Sequence, residues 1–197
     1  MKDLLYYETT PKGEKQTSIY TASVLEDYII WINSVIEDDL AQEVIVTIRH
    51  LNKKDKNKPI KVFINSPGGS VSAGLAIYDC LNLITNPVYT IGIGTCASMA
   101  AFLLICAGKK RYASENCSIM LHQPLINSVG GQATDIQIVA ENIIKVKSRL
   151  NEIIAKKTKI SVEKITAMSD RDLWLEAEEA VKLGMIDEIL TAETFSK

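Results

Sequence analysis

Short apolar runs alternate with helical patterns through the middle of the chain. Residues 60–65 (IKVFIN), 88–93 (VYTIGI) and 118–121 (SIML) are rich in β-branched and other apolar side chains, which predicts three strands. Residues 71–84 and 98–107 lie between these strands and are predicted to be helices. Strands that alternate with helices pair in parallel through right-handed crossovers. The pattern therefore predicts an α/β domain whose parallel sheet is covered on both faces.

Further elements and a strand end are predicted in the N-terminal half of the chain. Residues 1–18 are polar without a clear period, so we expect a flexible segment there. Residues 28–32 (YIIWI) predict a further strand, and Asp38 or Asp39 is expected to cap the helix that follows. Gly94 is expected to end the strand that begins at residue 88.

A long helix is predicted after the last strand of the central pattern. Apolar residues recur at helical spacing across residues 132–158, a length of about 25 residues that exceeds the usual globular helix. We therefore expect this helix to project from the domain and to pack against something else. Residues 176–183 predict a short helix that Gly184 stops, and a strand over 186–190 precedes a polar tail.

Composition and charge narrow the classes of protein. The chain has 197 residues, of which 47% are hydrophobic and 23% charged, as in an ordinary globular domain. The net charge of −2 argues against broad binding to nucleic acid or to an anionic membrane. The first residues, MKDLLYYETTPKGEK, contain no long apolar run, which argues against a secretory signal. Four cysteines without a C-x-x-C pair and only two histidines favour reduced thiols in a cytoplasmic protein and argue against a zinc site.

Two residues at strand ends are candidates for nucleophile and base. Ser98 follows a strand and would open a helix, where free N–H groups favour developing negative charge, although no G-x-S-x-G pattern surrounds it. On local grounds it can equally be a helix cap. His122 ends the strand 118–121, at the edge where α/β sheets form their sites, but a structural histidine fits that position too.

Two further features complete a candidate set. Gly68 and Gly69 follow a strand and can offer N–H groups to an anion, or form a plain turn; the spacing of a nucleotide P-loop is absent. Asp172 lies between helical segments, where a solvated loop carboxylate is the simple alternative. Together these residues supply a nucleophile, a base, an orienting carboxylate and oxyanion donors. Their order along the chain, Ser–His–Asp, differs from the orders of chymotrypsin, subtilisin and the α/β-hydrolases.

Longer motifs extend over nearly the whole chain. They are INSPGG at 64–69, AGLAIYD at 73–79, ASM at 97–99, LHQP at 121–124, GQATD at 131–135, RD at 171–172 and AEEAV at 177–181. In order and spacing they resemble the signature segments of the ClpP family, the proteolytic subunits of the ATP-dependent Clp (caseinolytic) protease. The resemblance implies a crotonase-like α/β fold: a superhelical head of repeated β-β-α units with a projecting helical handle.

The resemblance also divides the chain into parts. Residues 1–18 are similar to the axial-loop segment of the family, and residues 19–197 would form a single ClpP-like domain with its handle at about 123–158. Within that domain it implies a serine endopeptidase that needs no metal or other cofactor. The implied catalytic triad is Ser98, His122 and Asp172, and the implied oxyanion hole is formed by the backbone N–H groups of Gly69 and Met99.

The partners implied by the resemblance are other copies of the chain and an ATPase. Heptameric rings would stack as a tetradecamer, and a Clp-family AAA+ ATPase would feed unfolded proteins into it for quality control in the cytoplasm. Asp170 and Arg171 fall where the family makes contacts between rings. The residues that match the apolar ATPase-docking cleft are Phe63, Leu83, Ile91 and Ile93.

Several positions depart from the family pattern. Cys96 and Ala100 stand where alanine and glycine are usual, Tyr28 replaces a usual arginine, and Lys61 replaces a common aromatic residue in the docking cleft. The segment 125–130 replaces a glycine-rich stretch and is about one residue longer. These differences favour a divergent paralogue that works in mixed rings with a second ClpP-type subunit.

Two alternatives to an active peptidase remain at the level of sequence. The altered segment 125–130 is compatible with a weakly active structural or regulatory ring subunit. An acyl-CoA enzyme is the other, because crotonases share the fold and also use a backbone oxyanion hole. The set Ser98, His122 and Asp172 argues against that last reading.

Overall fold

The elements of the chain follow one another in a mixed α/β order. The computed structural model describes residues 4–10, 13–126 and 128–195, and within them it contains nine strands and eight helices. The strands are β1 Leu5–Thr10, β2 Gly13–Ser18, β3 Ile29–Ile32, β4 Ile60–Ser66, β5 Val88–Ala97, β6 Lys110–Ala113, β7 Ser118–Leu121, β8 Leu173–Leu175 and β9 Glu188–Ile189. The helices are α1 Ile19–Leu25, α2 Asp38–Lys54, α3 Val71–Leu83, α4 Met99–Cys106, α5 Ala133–Thr158, α6 Val162–Met168, α7 Ala177–Lys182 and α8 Ala192–Phe195.

The main sheet is parallel with one exception. Its order is β3-β4-β5-β6-β9, and every neighbouring pair along this path is parallel. β7 joins the sheet in parallel beside the end of β5, and β8 pairs antiparallel with β7. The predicted α/β class with a largely parallel sheet is therefore confirmed.

Apolar residues on one face of the sheet pack against the helices in the main core, whereas on the other face Phe63, Ile91 and Tyr112 line a groove, so the predicted cover on both faces is wrong. All eight residues of α4 are buried, as expected for a helix that is hydrophobic on every side. α2 instead buries one stripe at helical spacing, Ala41, Val44, Ile48 and Leu51. The main core thus lies between the sheet and its helices, which include the fully buried α4 and the one-sided α2. Helix α4 begins immediately after Ser98.

β5 is longer than the sequence predicts. Gly94 adopts a left-handed backbone (φ +61°) but bends the strand instead of ending it, and the register against β4 shifts across the bend. Residues 89–92 pair with β6, whereas residues 95–97 pair with β7. The prediction of a break at Gly94 is wrong. The strand continues through residues 95–97 and ends directly before Ser98.

Two expectations for the N-terminal half are also wrong. The segment expected to be flexible forms an antiparallel hairpin of β1 and β2, paired from Leu5–Ser18 to Thr10–Gly13; residues 1–3, 11 and 12 lie outside the described residues. An isolated two-stranded ribbon covers no core, so its sequence needs no alternation of apolar and polar residues. Asp38 and Asp39 lie in the first turn of α2, where they face the positive end of the helix dipole, and Glu37 takes the capping position.

The long helix is confirmed as α5, with 26 residues. Its buried residues, Leu150, Asn151, Ile154 and Thr158, all lie in its second half. The first half exposes apolar side chains, among them Ile136 and Ile138. The predicted polar tail instead contains the short helix α8, whose first turn is closed by hydrogen bonds between Thr191 and Thr194.

The hydrophobicity of the helices bears on membrane association. Among the described residues, no helix combines the length and the apolar character that crossing a bilayer requires.

Candidate active site

Ser98 lies at a strained corner between β5 and α4. Its backbone has φ 55° and ψ −120°, a conformation that costs a non-glycine residue about 1–3 kcal/mol. Its N–H donates to the carbonyl of Met120 at 2.8 Å, which fixes the corner against β7. Ser98 holds the N-cap position of α4, but its hydroxyl makes no capping hydrogen bond and is free to face another group.

That other group is the imidazole of His122. Nε2 of His122 lies 2.8 Å from Oγ of Ser98, a hydrogen-bonding distance. The parallel register of β5 and β7, in which Ala97 is opposite Met120, sets the residues just beyond these strand ends side by side. The His122 side chain is only 16% exposed, so the contact is shielded from most solvent.

Asp172 reaches the other nitrogen of the same ring. β8 pairs antiparallel with β7 with Leu173 opposite Leu121, so that Asp172 and His122 are the next residues beyond this last pair. Oδ1 of Asp172 lies 3.5 Å from Nδ1 of His122, longer than the roughly 2.7–3.2 Å of a good hydrogen bond. The carboxylate is 62% exposed in the single chain.

A glycine loop lies against Ser98. The loop is attached to the segment before α2, because Ile36 donates to the carbonyl of Gly68 at 2.8 Å and accepts from Ser70 at 2.7 Å. The C=O and the N–H of one trans peptide group point in opposite directions, so the N–H of Gly69, which shares its peptide group with the carbonyl of Gly68, points away from Ile36. It is therefore directed out of this bridge.

The close approach of the loop depends on the absence of a side chain. A Cβ at Gly68 would lie 2.8 Å from Cβ of Ser98 and 2.9 Å from the amide nitrogen of Met99. As the first residue of α4, Met99 has an N–H without an acceptor inside the helix. The two N–H groups expected to form an oxyanion hole thus belong to backbone segments that meet beside the serine.

An apolar pocket adjoins the serine and the histidine. Besides Ser98 and His122 it is lined by Val71, Met99, Phe102, Leu121, Pro124, Leu150, Asn151, Ile154 and Ser169. The pocket could not be identified from the sequence, because its lining comes from separate elements, chiefly α3, α4 and α5. The helical stripe of α5 was the one available signal, since it contributes Leu150 and Ile154.

Two cysteine thiols lie behind the corner that bears Ser98. The hydrogen bond to Cys117, together with burial, raises the pKa of Cys96. The sulfur of Cys96 also lies 3.2 Å from the carbonyl oxygen of Ile64. Cys96 is therefore a protonated packing residue at neutral pH, which fits the departure from the usual alanine.

A match to a family model shows which protein family the chain belongs to. The model of the Clp protease family matches residues 11–193. The chain belongs to the Clp protease family. The match includes the parallel-sheet core, the corner at Ser98 and the whole of α5, and this α/β architecture is consistent with the crotonase-like fold of Clp proteases. The resemblance found in the sequence is thereby confirmed.

The structure gathers three of the four residues that match the docking cleft of Clp proteases. Phe63 and Ile91 line an apolar groove of about 440 Å³. Ile93 packs against the cluster that these two residues form with Tyr112. Lys61 lines the groove too, as does Phe195 of α8. Leu83 does not line it within this chain: it ends α3 and is 84% exposed.

The other residues singled out by the resemblance lie on the surface. Asp170 and Arg171 are exposed and face each other at 4.0 Å, a distance at which an exposed pair contributes little. In the segment 125–130, Leu125, Ile126 and Val129 are exposed, and Asn127 lies outside the described residues.

Proposed function

We propose that this chain is the proteolytic subunit of an ATP-dependent Clp protease and acts as a serine endopeptidase on unfolded proteins. The 2.8 Å contact between Oγ of Ser98 and Nε2 of His122 is the observation that carries the proposal. A serine on a strained strand-to-helix corner, facing an enclosed imidazole, is the arrangement that makes a hydroxyl nucleophilic. Membership of the Clp protease family supports the same activity.

The reaction follows from the positions of the side chains. His122 takes the proton of Ser98 as Oγ attacks the carbonyl carbon of the scissile peptide bond. The C–N bond then breaks, and His122 returns the proton to the departing amine. Water, deprotonated by His122, hydrolyses the resulting acyl-enzyme. Asp172 accepts a hydrogen bond from the Nδ1–H of His122, which keeps Nε2 as the acceptor for the serine proton and stabilises the imidazolium.

The backbone supplies the complementary charge. The carbonyl oxygen becomes an oxyanion during each attack, and the N–H groups of Gly69 and Met99 are the proposed donors to it. The N-terminus of α4 adds the positive end of a helix dipole at the same point. Removing one such donor typically lowers the rate by about 10²- to 10³-fold.

The proposed partners are further copies of the chain and a Clp-family AAA+ ATPase. Stacked heptameric rings would cover the apolar side chains that the first half of α5 exposes. The groove at Phe63 and Ile91 would receive an apolar segment of the ATPase. We place the assembly in the cytoplasm and keep open a second ClpP-type subunit in mixed rings.

One observation favours the alternative of a weakly active ring subunit. The contact of Asp172 with His122 is long, at 3.5 Å, and the carboxylate is mostly exposed in the single chain. In that alternative the triad reaches full alignment only beside a partner subunit. The third possibility is an acyl-CoA enzyme, whose reaction would not require the paired hydroxyl and imidazole. Measurable acyl-CoA binding would support that possibility.

A degradation assay separates these possibilities. The chain, alone or with a second ClpP-type subunit, is mixed with a Clp ATPase, ATP and an unfolded fluorescent protein. We expect ATP-dependent loss of the substrate, abolished by Ser98→Ala in the rings of this chain alone. If Ser98→Ala leaves turnover in mixed rings unchanged, the chain acts there as a scaffold and not as a peptidase.

A further inference from the structure

A chain of hydrogen bonds connects α5 to the loop that bears Asp172. Nζ of Lys147 donates to Oε1 of Gln123 at 2.8 Å. Nε2 of Gln123 donates in turn to the carbonyl of Asp170 at 2.9 Å. Gln123 follows His122 directly, and Asp170 lies two residues before Asp172, so this relay joins the two segments that carry the histidine and the aspartate.

The relay has only one arrangement that satisfies all of its groups. A lysine ammonium can only donate and a backbone carbonyl can only accept, so Gln123 must turn its oxygen to Lys147 and its NH₂ to Asp170. Lys147 and Gln123 are both partly buried, which strengthens the bond between them relative to one in water. The charged donor further polarises the amide that holds the loop.

Little else in the described chain fixes the loop at this point. β8 has three residues and ends its pairing with β7 at Leu173, so Asp172 lies just beyond the ladder. The carboxylate of Asp172 is mostly exposed, and its contact with His122 is the long one of the site. A bond to the carbonyl of Asp170 therefore restrains the loop on the far side of Asp172 from the strand.

We propose that Gln123 and Lys147 are positioning residues that hold Asp172 against His122. This inference rests on the proposed peptidase function and adds two residues to it that touch no reacting atom. Both act through the loop, because Gln123 contacts the backbone of Asp170 and Lys147 contacts Gln123. Loss of the relay releases the loop, and the orientation of the imidazole is lost with it.

The most informative variant is Gln123→Glu. It has nearly the same shape and keeps an acceptor for Lys147, but it presents a carboxylate oxygen to the carbonyl of Asp170, and two acceptors repel. Lys147→Met removes the donor and keeps most of the length of the side chain, and Lys147→Arg keeps a charged donor. Lys145→Met is the matched control, because Lys145 is an exposed lysine on the same helix.

Peptide hydrolysis by the full-length assembly measures the effect. We expect Gln123→Glu and Lys147→Met to lower kcat about 10-fold with KM changed less than about twofold, because alignment of the acid–base pair and not substrate binding is lost. Lys147→Arg should recover most of the rate, and Lys145→Met should match the unaltered chain. Unchanged kcat in Gln123→Glu, or equal losses in Lys145→Met and Lys147→Met, would overturn the inference.

A crystal structure of the Gln123→Glu variant provides a readout that does not depend on activity. We expect the distance between Oδ1 of Asp172 and Nδ1 of His122 to exceed that of the unaltered chain crystallised in the same form. An unchanged distance refutes the positioning role. If the unaltered chain hydrolyses no peptide in any assembly, the proposed function fails, and this comparison alone decides the role of Gln123 and Lys147.

Discussion

Gly68 determines how closely the backbone can approach Ser98. Its φ of +92° is a backbone conformation that residues with a side chain rarely adopt. An added Cβ would lie 2.6 Å from the carbonyl oxygen of Ala97 and would also contact Ser98 and Met99. All three contacts are with the strand-to-helix corner, where Ala97 and Met99 are buried. The glycine is thus required by geometry at this position and not only by the tightness of a turn.

The substitution Gly68→Ala tests this requirement at the scale of one methyl group. We expect peptide hydrolysis to fall at least about 100-fold, because the oxyanion donors move away from Ser98. We also expect the free energy of unfolding to fall by about 2 kcal/mol from overpacking and backbone strain. Initial rates and thermal melting measure the two effects.

Gly130→Ala is the matched control for that experiment. A Cβ at Gly130 meets no atom within 4 Å, so both activity and melting temperature should stay near those of the unaltered chain. Equal effects of the two substitutions would show that the glycine at position 68 has no special relation to the site.

At the scale of elements, an ion pair secures the edge of the sheet. Arg111 of β6 binds the carboxylate of Asp187, just before β9, through Nη2 at 2.6 Å and Nε at 3.2 Å. Burial alone would raise the pKa of Asp187, but hydrogen bonds from Arg111 and its charge outweigh burial and lower that pKa below its ordinary 3.8. Arg111 also donates to the carbonyl of Gly184, so the pair ties β6 to the end of α7.

The lowered pKa of Asp187 predicts how stability depends on pH. The unfolded carboxyl binds a proton more readily than the folded one, so its stabilising contribution is present above about pH 5 and is lost as the pH falls through the folded pKa. We expect Asp187→Asn to lower the melting temperature at pH 7 and to have progressively less effect toward pH 3. The exposed pair of Glu178 with Lys182 provides the control, because Glu178→Gln should change little at either pH. A deficit in Asp187→Asn that stays constant across this range contradicts the assignment.

The elements also explain what sequence alone could predict. Local patterns were sufficient for the longer elements and for placing Ser98 and His122 at strand ends, because each pattern extends over enough residues to be distinctive. β8 was missed, since three residues with an exposed Trp174 between two leucines give no readable period. The approach of Asp172 to His122 depends on the pairing of β8 with β7 across about fifty residues, a non-local property. Only the resemblance to Clp proteases pointed to it.

At the scale of the whole molecule, the first half of α5 exposes several large apolar side chains to solvent. Its apolar side chains Ile136, Ile138, Val139 and Ile144 are exposed in the single chain, as are Leu125 and Ile126 in the segment that precedes the helix. Adjacent exposed apolar residues of this kind mark surfaces that association covers. In the proposed assembly they lie where one ring meets the other.

A charge placed on this surface should therefore change the assembly and leave the fold intact. We expect Ile136→Glu to lower the mass measured by sedimentation, to half if the rings separate, because the carboxylate would have to be desolvated at the contact. Ile136→Leu keeps the apolar character and should assemble normally. An unchanged mass in Ile136→Glu would place the contact between rings elsewhere.

Activation of Ser98 by His122 can be measured by labelling with a fluorophosphonate probe. The probe forms a covalent bond only with a serine that a neighbouring base makes nucleophilic, and mass spectrometry of the digested chain identifies the residue modified. We expect a single adduct on Ser98 that is absent in Ser98→Ala and strongly reduced in His122→Ala. Absence of any adduct on Ser98, in the isolated chain and in mixed rings alike, would contradict this activation.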